Sequence, residues 1–282
     1  MAERGATHGA VTCAVVAQKG GVGKTTILLG LAGAAWDRGM RVLVVDLDPQ
    51  ANATAALDPA SRRYSTNDVL ADGRPGVAAD AVTDSGWGNG TRLIPSERAL
   101  EHRAVPEGRD STLRLRMALE GVVDAYDLVL VDCPPSLGEL TRNALAAVRL
   151  ALVVTEPSFF ALPGAAAALE AIEVVRGSSN LVLRPAGVVV NRAHPQTTEH
   201  AFRLAELAEV YPELLLPVTV PDRTAIQQAQ GACVPVQAWH SKGADEASEA
   251  FDTLLDLVLD RAREDIGGLG LASTFSTGTE TP

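Results

Sequence analysis

Val11-Thr12-Cys13-Ala14-Val15-Val16-Ala17 is followed directly by Gln18-Lys19-Gly20-Gly21-Val22-Gly23-Lys24-Thr25-Thr26 and then by an Ala/Leu-rich run to Arg38. The first seven residues are apolar and do not alternate, which predicts a strand buried on both faces. The run from Thr25 ends at Gly39, a suitable residue just past a helix. The glycines between them let the chain fold into a nest whose N–H groups converge on phosphate oxygens. The helix that follows adds its positive end. Lys24 supplies a point charge for β- and γ-phosphates, and the Thr25 hydroxyl is a ligand for Mg²⁺. The usual phosphate-loop pattern has glycine six positions before the lysine; here that position is Gln18, and Lys19 stands inside the loop instead.

Composition sharpens this reading. The 282 residues carry only three lysines, Lys19, Lys24 and Lys242, so two of three lie in this one loop. Elsewhere arginine serves as the cation, and a compact, flexible ammonium is kept where phosphate is expected. With 46% hydrophobic and 21% charged residues the chain can bury a sizeable core. Aromatics at 4% argue against a broad base-stacking surface. The net charge of −11 argues against an all-basic binder but is uneven. Residues 243–265 carry a net −6, whereas 142–242 hold eight bases and eight acids, which leaves room for a modest arginine face. Cys13, Cys133 and Cys233 are odd in number and widely spaced, as expected for reduced thiols in a cytoplasmic protein. No Cys/His group has metal-ligand spacing. The start lacks a signal-peptide core, and no apolar run approaches the ~18 residues of a membrane span.

Further apolar runs, Val42–Leu47, Leu128–Cys133, Ala151–Thr155, Gly187–Val190 and Leu214–Val220, alternate with helical patterns. The helices are expected over Thr25–Arg38, Leu113–Val123, Ser136–Val148, Gly164–Arg176, Thr197–Val210 and Asp245–Arg263. This order predicts an α/β fold: one domain with a mainly parallel twisted sheet and helices on both faces. The domain is expected over 11–265, with a flexible N-terminus (1–10) and a flexible C-terminal tail (266–282). The stretch Asp58–Gly90 reads as short helices and loops.

Two strands end in carboxylates, where a parallel sheet forms its ligand crevice. Val44-Val45-Asp46-Leu47-Asp48 places two acids with a strand's alternation, so both are expected on one side. Leu128-Val129-Leu130-Val131-Asp132 is four apolar residues and an acid, the Walker B pattern, in which Asp132 holds Mg²⁺ through its water shell. Cys133 reads as a small packed residue. No Ser/His/Asp constellation is present, and phosphoryl transfer to water needs none.

The loop Lys19–Thr25 resembles the deviant Walker A motif, KGGxGK[ST], of the ParA/MinD ATPase superfamily. DLDPQANAT (Asp46–Thr54) is similar to the DxDPQxNAT stretch of its partition proteins, and Tyr126–Pro135 to the YDxxxxDxPP stretch. Leu93–Ser96, Thr155–Leu162 and Gly231–Val236 also look like family segments, so the resemblance runs from about Val11 to Leu259. The resemblance implies a deviant P-loop NTPase fold and a slow, Mg²⁺-dependent ATP hydrolase that dimerises around ATP. It implies that Lys19 reaches the partner subunit's phosphates, that Asp48 orients the attacking water, and that Asp46 assists near Mg²⁺. Gly20, Gly21, Val22, Gly23, Lys24, Thr25 and Thr26 would then cradle the phosphates, with Lys19, Lys24 and Asp48 as the catalytic set and Thr25, Asp46 and Asp132 at the metal. Asn191, Pro221 and Asp222 would line the adenine; for Asn191 a turn-forming role after a strand is the alternative.

Further implications concern partners. The ATP dimer would bind DNA nonspecifically, hydrolysis would be stimulated by a ParB-type protein, and the protein would be nucleoid-associated in the ATP state. Among Arg176, Arg184, Arg192, Arg203 and Arg223, the candidates for a DNA face are Arg192, Arg203 and Arg223, each of which could equally be an ordinary solvated arginine. Two departures stand out: Gln228-Ala229 replaces the usual Glu-Ala, and the second half lacks lysine-rich patches. The rival reading is a ParA-like positioner of a non-DNA cargo or of cell division. A MinD-like membrane switch would need a basic amphipathic C-terminal helix, whereas this one is acidic. An iron–sulfur reductase would need a second cysteine near Cys133. A dethiobiotin-synthetase-like ligase fits the DPQ and N-A-T features less well.

Overall fold

A computed structural model describes residues 9–108, 110–194 and 196–264. The N-terminal and C-terminal segments expected to be flexible lie almost wholly outside these residues.

Eight strands form one sheet: β1 (Val11–Val16), β2 (Val42–Asp46), β3 (Thr83–Asp84), β4 (Thr91–Ile94), β5 (Leu128–Asp132), β6 (Leu150–Thr155), β7 (Arg184–Ala193) and β8 (Leu215–Pro221). Their order is β3-β4-β2-β5-β1-β6-β7-β8, and every pairing is parallel except β3 with β4. The fold expected from the alternation of runs is therefore the observed one. The α-helices are α1 (Lys24–Asp37), α2 (Asn52–Leu57), α3 (Thr66–Asp72), α4 (Arg114–Ala118), α5 (Glu139–Ala147), α6 (Ala161–Ser178), α7 (Thr198–Val210), α8 (Thr224–Gly231) and α9 (Lys242–Arg263).

The central strands are buried on both faces, which is why they read as continuous apolar runs. Cys13, Val15, Val42, Val44, Leu128, Leu130, Leu150 and Leu152 face a core shared with α1, α8 and α9. Ala14, Val16, Leu43, Val45, Val129, Val131, Ala151 and Val153 face the opposite core, shared with α3 to α7. Helix α1 is apolar nearly all round because α9 covers its outer side. Phe251 of α9 lies so close to Gly30 that a Cβ there would overlap its ring, which explains a glycine in mid-helix. Phe251, Leu254, Leu255 and Val258 are fully buried. Each such side chain stabilises the packing by about 1.5–3 kcal/mol.

Several details differ from the sequence reading; α2 and α8, for example, lie outside every helix expected from it, because helices of six and eight residues carry too few turns to show a period. The short strands β3 and β4 fall where loops or a motif alone were expected, because four residues inside a Gly/Asp-rich stretch carry little periodic signal. The helix expected over Leu113–Val123 is α-helical only over α4; Gly121, at φ 72°, turns the chain away. Asp48 does not lie on β2, which ends at Asp46.

Candidate nucleotide site

Strand β1 lies between β5 and β6, while the chain's next strand, β2, is placed beyond β5. The sheet order thus reverses at the C-terminal end of β1, where open α/β sheets bind ligands. The loop 17–23 leaves β1 at this point. Gly21 (φ 83°) and Gly23 (φ 92°) take the left-handed conformation that turns N–H groups inward, and α1 begins at Lys24. Lys24 is buried, with 6% of its surface exposed.

The two strand-end acids stand side by side, because Asp46 and Asp132 are register partners of β2 and β5. Both are fully buried. Asp46 accepts hydrogen bonds from the Thr54 N–H (2.8 Å), the Thr54 hydroxyl (2.6 Å) and the Asp48 N–H (3.1 Å). Burial outweighs these bonds and pushes its carboxyl up to about 6. Asp132 accepts from the Thr25 hydroxyl at 2.7 Å, and its other oxygen, Oδ1, is buried with no hydrogen-bond partner among the described residues. Burial first, then the neighbouring Asp46 charge, raises its carboxyl well above the usual range. A buried oxygen without a donor, beside a second carboxylate and a threonine hydroxyl, is an all-oxygen environment that suits a hydrated Mg²⁺. Thr25, Asp46 and Asp132 are therefore brought together as a fitting set.

Asp48 follows the strand in a turn. Its carboxylate accepts the Gln50 N–H at 2.9 Å, and its carbonyl accepts the Ser96 hydroxyl at 2.7 Å. The Ser96 N–H in turn donates to the Thr54 hydroxyl at 2.8 Å. Thr54 and Ser96 were not singled out as site residues from the sequence, although both sit inside stretches quoted above. They tie β4 and α2 to the two acids.

Lys19 lies at the surface of the loop, half exposed at 51%. Its ammonium is 3.3 Å from Glu156 and 5.3 Å from the centre of the Phe160 ring. Glu156 is a third residue whose part only the tertiary structure discloses. Asn191 is buried, and its Nδ2 donates to the Val22 carbonyl at 2.8 Å, so it braces the phosphate loop from β7. Pro221 ends β8, and Asp222 lies 3.6 Å from His194. Helix α8 then carries Gln230 back to within 3.5 Å of the Thr26 hydroxyl.

The three arginines considered for DNA are all engaged. Arg192, at φ 54°, donates to the Gly21 carbonyl at 2.8 Å and lies 4.0 Å from Glu156. Arg203 pairs with Glu199 (2.7 Å) and Glu206 (2.8 Å). Arg223 pairs with Glu246 at 2.6 Å. Among the described residues, no helix is long and apolar enough to cross a membrane.

Comparison with known proteins agrees with this geometry. A family model described as an AAA domain matches residues 10–184. The chain is 33% identical to the chromosome partitioning protein ParA of Caulobacter vibrioides, over 89% of this chain and 94% of that one. It is 35% identical to the chromosome-partitioning ATPase Soj of Thermus thermophilus, over 89% and 96%. A solved structure titled cobyrinic acid a,c-diamide synthase from Mycobacterium smegmatis, with bound ADP and magnesium, superposes with a TM-score of 0.71 at 30% identity, covering 87% of this chain and 94% of that one. The loop with its extra lysine, the paired buried acids and this likeness over nine-tenths of the chain lead to one conclusion: the chain belongs to the ParA-type family of partition ATPases.

Proposed function

We propose that this chain is an ATP-driven dimerising switch that hydrolyses MgATP slowly, binds DNA without regard to sequence in its ATP state, and is reset by a ParB-type partner. The observation that supports this most directly is the contrast between its two loop lysines. Lys24 is buried at the start of α1, where it serves the phosphates of its own subunit. Lys19 stands half exposed at the loop's outer edge, available to a second subunit. A cation that neutralises phosphate charge only when two subunits meet couples ATP to association. When bound, Mg²⁺ supplies further charge neutralisation at the β- and γ-phosphates. Thr25, Asp132 and Asp46 would hold it. Asp48, its backbone fixed by Ser96, would orient the water, while Asn191 keeps the loop in shape. Asn191, Pro221 and Asp222 remain the proposed adenine side of the pocket. Such a protein would sit on the nucleoid only while ATP is bound.

A second reading, a positioner of a non-DNA cargo, draws on the ion-paired state of Arg192, Arg203 and Arg223. A DNA face built from them would have to exchange glutamates for phosphates. Binding of random-sequence duplex DNA, measured with ATP, with ADP and without nucleotide across a salt series, separates the two. Affinity that appears only with ATP and falls steeply with salt supports the DNA switch. Its absence under conditions where the protein dimerises favours the other cargo.

A further inference from the structure

The sheet order decides which way a bound nucleotide runs. Asp46 and Asp132 end β2 and β5 on one side of β1, whereas β6, β7 and β8 lie on the other. The β- and γ-phosphate end of a triphosphate belongs at the acid pair, since those oxygens share the metal. The nucleoside then extends toward the ends of β7 and β8. Discrimination between bases needs a side-chain donor or acceptor on that side, held in place. Asn191 has little left to offer, because its Nδ2 is committed to the Val22 carbonyl at 2.8 Å. Gln230 is different. Helix α8 brings this half-buried side chain to the first turn of α1, where Nε2 donates to the Thr26 hydroxyl at 3.5 Å. Its Oε1 has no hydrogen-bond partner among the described residues. The helix that carries it is fixed: Ala225, Ile226 and Ala229 are buried in the core shared with α1. The Cys233 thiol, just past the end of α8, donates to the Ala55 carbonyl at 3.5 Å. The amide is thus placed beside the phosphate loop before any nucleotide arrives.

We propose that Gln230 is a specificity-determining residue that reads the base, its Oε1 accepting a hydrogen bond from the 6-amino group of adenine. A carboxamide carries one acceptor oxygen and one donor nitrogen. The bond to Thr26 engages the donor and leaves the acceptor, which matches an amino group. A purine with a carbonyl at position 6 sets acceptor against acceptor, so the same oxygen rejects it. The inference rests on the reading of this site as one for ATP, and it requires neither dimerisation nor DNA.

The test is displacement of fluorescent ADP from the protein by ADP and by IDP, whose hypoxanthine has a carbonyl in place of the 6-amino group. Wild type should prefer ADP by about tenfold, the effect of one hydrogen bond against an unpaired acceptor. In Q230L, which removes both polar atoms, the preference should fall to about one, chiefly through weaker ADP binding. Q230E keeps an acceptor. It should bind both nucleotides more weakly, because its charge stands near phosphate, yet retain the preference for ADP. A ratio between two ligands on one folded sample is not moved by a general loss of stability. A Q230L protein with the wild-type ratio overturns the inference, as does one that loses ADP and IDP equally, since Gln230 would then be structural. A Q230E protein without the preference overturns it too. A wild type that binds ADP and IDP alike overturns this inference alone, whereas a wild type that binds no adenine nucleotide overturns the ATP reading with it.

Discussion

The side-chain amide of Asn191 donates to the carbonyl of Val22 at 2.8 Å, joining the end of β7 to the phosphate loop across 169 residues of sequence. The bond is buried, and Gly23 beside it has no room for a side chain, because a Cβ would overlap the same amide. The loop proposed to receive phosphate is therefore shaped from below by a strand two places away in the sheet.

Asn191→Ala leaves the buried Val22 carbonyl without its donor. The loss of such a bond costs about 1–3 kcal/mol. Because the loop bears most of it, nucleotide affinity should fall by roughly tenfold, read by titration with a fluorescent ADP. Gly23→Ala, which also meets a φ of 92°, should abolish binding altogether. Equal affinity in Asn191→Ala and wild type would remove Asn191 from the site.

Asp132→Asn tests the paired acids. In the absence of ligands two buried carboxylates stand side by side, and both are raised by burial. Neutralising one removes like-charge repulsion and a desolvation cost. The melting temperature of the nucleotide-free protein should hold or rise by a few degrees. The extra stabilisation that Mg²⁺ gives to the ADP-bound wild type should disappear. A large fall in the apo melting temperature would mean that the charge pair is structural.

Lys19→Ala separates binding from association. Its pairing with Glu156 is a surface contact at the loop's edge and contributes little to folding. Melting temperature and monomer affinity for ADP are expected to match wild type, and the ATP-dependent doubling of mass in light scattering is expected to vanish. A normal ATP dimer would refute the trans-acting role of this lysine.

Thiol chemistry checks the sheet itself. Cys13 on β1 is completely buried, which pushes its thiol up to about 12, and burial raises Cys133 as well. Cys233 is partly exposed at the end of α8. Near pH 8 an aromatic disulfide reagent should therefore titrate one thiol in the native protein and three in guanidinium chloride. Two rapid native thiols would contradict the burial of Cys13 on β1 or of Cys133 just past the end of β5.

Most of the fold is legible in the amino-acid sequence. The central parallel strands read as continuous apolar runs because both of their faces are covered, and a helix such as α9, with one face on the core, shows its own period. The strands β3 and β4 are not legible there, since segments so short are fixed by pairing, β4 with β2 and β3 with β4, and not by their own pattern.

The sequence by itself determined the phosphate-loop pattern. A nest of glycines, a lysine and a threonine act through backbone geometry over seven consecutive residues, and a strand-end acid needs only its strand to place it. What only the tertiary structure decided are the long-range partners: Asn191 beneath Val22, Glu156 beside Lys19, Asp46 next to Asp132, and Arg203 between Phe159 and Phe202. These pairs depend on which strands become neighbours and how helices settle over them. Long-range burial and packing select that arrangement, and no local pattern in the chain records it.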